Sequence, residues 1–171
     1  MDTINSIEGP DSRMSTLAEM ERQYENHNVN YFTALLNHRD MVIRTRAVCI
    51  LADISTESVV RDIGTVLRTD MEPLVRHEAA FSLGQLGYSS AIEALSDAVK
   101  TDASFFVRHE AAIALGVIGS EKARDVLNGA LSDPNEEVRK SATIALANLD
   151  YAALTVKHTN GENRFIRLTG G

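Results

Sequence analysis

The hexapeptide VRHEAA stands twice in this chain, at Val75–Ala80 and at Val107–Ala112. It sets His77-Glu78 and His109-Glu110 at matching points of two similar segments. Imidazoles and carboxylates together are the donors of nitrogen–oxygen metal sites. If each pair opens an equivalent helix, and neighbouring helices pack roughly 8–10 Å apart, the side chains can converge on one point. Two imidazoles and one or two carboxylates there would hold a cation. The donor mixture suits non-haem iron, manganese or zinc, and two histidines with one carboxylate and open positions point towards iron. HEAAF and HEAAI lack the second histidine one turn later, so this is not the zinc-protease pattern H-E-x-x-H.

The elements that must position these residues are visible as a repeat. VIRTRAVCILADI from Val42, LVRHEAAFSLGQLG from Leu74, FVRHEAAIALGVIG from Phe106 and VRKSATIALANLD from Val138 share one register. Each follows a further helical stretch: YFTALLNH, SVVRDIGTVLRT, AIEALSDAVKT or ARDVLNGALSD. Two helices per unit, repeated at a fixed period, describe an all-α, short α-solenoid of about four repeats. The second helices are expected near residues 41–53, 73–86, 105–118 and 135–149. Gly87 and Gly119 suit left-handed helix ends, and Asp133-Pro134 is read as the start of the last second helix. The register also supplies a control for the His-Glu pairs. The first unit has Thr45-Arg46 at that position and the fourth has Lys140-Ser141, neither of which can ligate as a pair. Against ligation stands a plainer reading: glutamate favours a helix start, and adjacent units can share residues by duplication alone.

Residues 15–150 form the repeat domain in this reading, with a helix from Ser15 to Asn28 capping its open end. Residues 1–14 form a flexible leader and residues 151–171 a tail. In the tail, Asn160-Gly161 lies between two β-prone runs, LTVKHT and ENRFIRL, which predicts a β-hairpin. Such a hairpin is marginal alone and should pack on the solenoid or on a partner. His27, His38 and His158 receive no role.

Composition removes several functions. A net charge of −7 excludes nucleic acid as the main partner, since no basic stripe offsets phosphate repulsion. The single cysteine, Cys49, excludes an internal disulfide framework, and its apolar neighbours predict a buried small side chain. No apolar run reaches the roughly 18 residues of a membrane span, and the N-terminus lacks a signal-peptide pattern. A cytoplasmic protein is expected.

The repeats resemble HEAT-like repeats of the phycobilisome-lyase type. That class carries an aspartate six residues before its arginine, as Asp70, Asp102 and Asp133 stand before Arg76, Arg108 and Arg139. The resemblance assigns these residues to a ladder of ion pairs and cap bonds between units. Arg44 has His38 at that place, with Asp40 as an imperfect substitute. The HE pairs in two central units further resemble one half of deoxyhypusine hydroxylase, a di-iron HEAT-repeat oxygenase with two such blocks and four HE pairs. Residues 29–150 correspond to one block. The resemblance implies that His77, His109 and Glu110 are iron ligands and that Glu78 faces the substrate or the second shell, with ligation also open to it. With two pairs instead of four, a complete di-iron site would need a homodimer, which the hairpin could help hold. A hydroxylation at a cationic, lysine-derived or amine substrate is then expected, which the acidic charge would attract. Two other functions compete: a protein-interaction scaffold without metal, and a role like that of the phycobilin lyases.

Overall fold

Four helices of one register share a buried apolar stripe. The computed structural model of the chain describes residues 10–156, and their regular elements are all helical. Helix α1 (Pro10–Glu25) precedes four pairs: α2 (Val29–Leu35) with α3 (Met41–Ile54), α4 (Val60–Thr69) with α5 (Pro73–Leu86), α6 (Ile92–Thr101) with α7 (Phe105–Ile118), and α8 (Arg124–Ala130) with α9 (Glu136–Val156). In α3, α5, α7 and α9 the rows Ile43/Val75/Val107/Val138 and Ala47/Ala79/Ala111/Ala142 are wholly buried, as are Leu51, Leu83 and Leu115. Spaced four residues apart, these rows form one buried stripe along each second helix. Small residues at other positions let neighbouring second helices pack closely, and one continuous core runs along the α-solenoid.

Two glycines set that spacing. An added Cβ at Gly84 of α5 would stand 2.9 Å from Ala114 Cβ of α7, and at Gly116 it would stand 2.7 Å from both Cα and Cβ of Ala145 on α9. Gly116→Ala is therefore expected to destabilise the protein by about 1–3 kcal/mol despite the better helix propensity of alanine, because a backbone must move. Urea unfolding midpoints of the two proteins check this. An alanine variant as stable as the parent would mean that α7 and α9 do not approach this closely.

The arginine ladder crosses the unit boundaries. Arg44 grips Asp70 with Nε and Nη2 at 2.6 and 2.9 Å, Arg76 grips Asp102 at 2.7 and 2.8 Å, and Arg108 grips Asp133 at 2.7 and 3.0 Å. The third guanidinium nitrogen turns back to loop carbonyls of the arginine's own unit, as in the 2.8 Å bond from Arg76 Nη1 to Asp70 O. Each aspartate also accepts a bond from the backbone N–H two residues on, at Glu72, Ser104 and Asn135. One carboxylate thus shapes its own loop and ties it to the preceding unit. At Asp70 burial pushes the carboxyl up, and Arg44, the Glu72 N–H and Arg76 together outweigh it, so the net displacement is downward.

Several boundaries differ from the sequence reading. Arg44 needs no substitute partner, because its aspartate comes from the following unit; Asp40 instead pairs with Arg13 and caps α3 through Val42 N. The last second helix opens at Glu136 with Asn135 as its cap, Asn135 Oδ1 accepting from Glu137 N at 2.9 Å, and Pro134 stays in the loop. Helix α1 starts at Pro10, inside the stretch read as leader. Gly87 and Gly119 do end α5 and α7 in the left-handed region, with φ of 70° and 68°. Asp150 occupies the corresponding place in α9, pairs with Arg124 at 2.8 Å, and the helix runs on to Val156. Leu154–Val156 are therefore helical, whereas the sequence reading put them in a hairpin strand. The rest of that hairpin, with Asn160-Gly161 and His158, lies outside the described residues.

Candidate functional site

The face of the second helices that points away from the first helices carries three rows in register. Val42, Leu74 and Phe106 form an exposed apolar row, at 41, 48 and 41% exposure. One turn further along lie Thr45-Arg46, His77-Glu78, His109-Glu110 and Lys140-Ser141. A turn beyond them lie Cys49, Phe81, Ile113 and Ile144. The His-Glu row therefore runs between two rows that are mostly apolar, which lowers the local dielectric and strengthens any charge interaction made there.

Each histidine meets the glutamate position of the next unit. His77 Nε2 lies 3.3 Å from Glu110 Oε2, and its ring stacks flat on Phe106, with centroids 3.9 Å apart and planes 6° from parallel. His109 Nδ1 lies 2.7 Å from Ser141 Oγ, the residue that stands at the glutamate position of α9. Glu78 turns the other way and accepts a 3.0 Å bond from Cys49 Sγ on α3. Glu110 is nearly buried, at 9% exposure, and the other three site residues are partly buried. Among the described residues, no buried side-chain nitrogen or oxygen lacks a partner.

The structure thus joins His77 to Glu110 and sends His109 and Glu78 to partners on flanking helices. Among the described residues, no three or more histidine, cysteine, aspartate or glutamate side chains are gathered as a cation would need. The chemistry of the His77–Glu110 pair nonetheless suits a metal. Two ligands at about 2.0–2.2 Å from one ion stand roughly 3–3.4 Å apart, and the observed separation falls there. Cys49 is a correction to the sequence reading: it is exposed, not buried. Desolvation in the groove, and then the Glu78 carboxylate, push its thiol up to about 12, so it stays protonated at neutral pH. Sequence reasoning missed three partners of the site, Phe106, Cys49 and Ser141. Register alone aligns Ser141 with Glu78 and Glu110, and that was the available signal.

Comparison with known proteins agrees with this architecture. A family model of HEAT repeats matches residues 60–147, just over half of the chain. The chain belongs to the HEAT-repeat family. Among solved structures it is similar to human deoxyhypusine hydroxylase in complex with glycerol, with a TM-score of 0.69 and 28% identity over 86% of this chain and 50% of that one. It also resembles YibA of E. coli (TM-score 0.56, 19% identity, 88% and 59% coverage) and the CpcE–CpcF complex of phycocyanin lyase from Nostoc (TM-score 0.49, 20% identity, 82% and 73% coverage). The chain spans half the length of the deoxyhypusine hydroxylase chain and 59% of the YibA chain. No curated protein matches it. Among the described residues, no helix is long and apolar enough to cross a membrane.

Proposed function

We propose that this chain is a metal-binding HEAT-repeat protein, a non-haem di-iron hydroxylase of the deoxyhypusine hydroxylase type whose site is assembled by a homodimer. The observation that carries the reading is the approach of His77 Nε2 to Glu110 Oε2 across a unit boundary, on a scaffold 28% identical to that enzyme. His77, Glu110 and His109 are the ligands in this reading, and Glu78 faces the substrate. Bound iron would supply the activation of O₂. The chain's own residues orient the donors, and the apolar rows limit water around them. One subunit gathers only a pair of donors among its described residues, which is why the reading requires a second copy with its own pair. Manganese or zinc would suit the same donors. The acidic surface favours a cationic, amine-bearing substrate.

Iron analysis of protein reconstituted anaerobically with ferrous iron tests this directly. The expected result is about one iron per chain, in a species of twice the chain mass by sedimentation. Metal-free monomer under those conditions sinks the proposal. A second reading then takes its place, a partner-binding scaffold, favoured by the exposed row of Val42, Leu74 and Phe106.

A further inference from the structure

We propose that Ser141 is a positioning residue that fixes His109 as the Nδ1–H tautomer, so that Nε2 keeps the lone pair for a divalent cation. The inference rests on the metal-binding reading above. Ser141 is buried, at 2% exposure, and its Oγ has two close partners: His109 Nδ1 at 2.7 Å and the Glu137 carbonyl oxygen at 2.9 Å. A carbonyl oxygen can only accept, and serine has one hydroxyl proton. That proton goes to Glu137, one helical turn back on α9. The imidazole must then donate its Nδ1–H to the serine oxygen. In the reverse arrangement the hydroxyl would donate to Nδ1 and leave Oγ facing the Glu137 carbonyl, two acceptors opposed in a buried place.

The consequence falls on the other ring nitrogen. In a neutral imidazole only one nitrogen carries a proton, so Nε2 of His109 is the unprotonated one, and it makes no hydrogen bond among the described residues. This is the arrangement in which a second hydrogen bond orients a metal-binding histidine and fixes its tautomer. The place of Ser141 in the repeat adds to the argument. Its counterpart in the preceding unit, Glu110, meets His77, so the glutamate position of each following unit addresses the histidine before it. At the last unit that position is a serine, which directs the ring without adding a negative charge. Lys140-Ser141 thus does not ligate as a pair, but its serine prepares a ligand.

Nitrogen-15 spectra of labelled histidines in the metal-free protein read the tautomer without any metal. At about pH 8, above the ordinary imidazole range, the wild-type His109 is expected to show a protonated Nδ1 and a pyridine-like Nε2. Ser141→Ala should shift the ring towards the Nε2–H form that predominates in water, and Ser141→Thr, which retains the hydroxyl, should restore the wild-type pattern. Titration with cobalt(II) as the probe should show about 10–100-fold weaker binding for the alanine variant, restored by threonine. A wild-type His109 in the Nε2–H form, or a tautomer ratio untouched by Ser141→Ala, overturns the inference. A serine-dependent Nδ1–H tautomer in protein that takes up no cobalt upholds the inference and overturns the metal reading instead.

Discussion

Replacing Asp133 with alanine is expected to lower the stability of the protein by about 3 kcal/mol, the scale on which losing one partner of a desolvated ion pair operates. Asp133 holds Arg108 through both carboxylate oxygens, and the two side chains keep only 9 and 14% of their surface. The same carboxylate accepts from Asn135 N at 2.8 Å and so shapes the entry to α9. Alanine leaves the Arg108 guanidinium without its counter-charge and the loop without its acceptor. For a chain of this size the loss corresponds to a melting temperature lower by roughly 6–12 °C. The exposed Lys140, which pairs with Glu136 and Glu137, supplies the contrast: its alanine variant should melt with the parent. The ladder also sets the acid limb. Arg108 beside Asp133 holds its carboxyl below the ordinary range, against the opposing effect of burial. The folded pKa is thus lower than the unfolded one. The pair's contribution is complete above about pH 4 and fades as the pH falls through the folded value. Asp133→Asn should flatten this part of the stability–pH curve measured by urea unfolding. An alanine variant with parental stability would falsify the account of the ladder.

The positions that repeat were legible because each unit poses the same packing problem. Val75, Val107 and Val138 had to be buried, since each takes the same apolar place in its helix. Gly87 and Gly119 had to end helices, since each takes a left-handed backbone where the chain turns. Departures from the repeat were harder to read. Asp150 replaces the helix-ending glycine, and without a residue suited to the left-handed turn α9 continues to Val156. Asn135 outcompetes Asp133 as the cap because Asp133 is already committed to Arg108 and to Asn135 N. The aspartate ladder was legible as a set of residues, but its direction was not, because spacing within a unit cannot tell whether Arg44 looks to its own unit or the next.

The site shows the same division. The sequence places His77, Glu78, His109 and Glu110 on one face, since spacing fixes the side of a helix on which a residue falls. It does not reveal which residue meets which, because that depends on how neighbouring helices are offset along their axes. The structure brings His77 to the following helix and Glu78 to the preceding one, so adjacent residues of one pair point to opposite neighbours. Cys49 was misplaced for a related reason. Its sequence neighbours are apolar, yet it lies on the outward face of α3, one turn past Thr45-Arg46, where Glu78 reaches it.

Substituting leucine for Glu110 separates a site kept for its chemistry from one kept for stability. Glu110 is a nearly buried carboxylate whose polar neighbour is an imidazole at 3.3 Å, beside the packed Ala111 and Ala112. Desolvating a carboxylate against so modest a partner is unfavourable, and an apolar side chain of similar size fits such a place at least as well. Glu110→Leu should therefore stabilise the metal-free protein by about 1–2 kcal/mol. The same change removes the carboxylate that meets His77 across that unit boundary. Wild-type protein should gain about 2.7 kcal/mol when the free divalent ion is a hundred times its dissociation constant, and the leucine variant should gain nothing. Thermal unfolding with chelator and with ferrous iron under argon measures both effects in one experiment. A variant less stable without metal would make Glu110 a structural partner of His77. Equal metal-linked stabilisation of both proteins would remove Glu110 from the ligand set. The expected crossing, with the variant ahead in chelator and the parent ahead in iron, is the signature of a residue held against its own solvation for the sake of a bound cation.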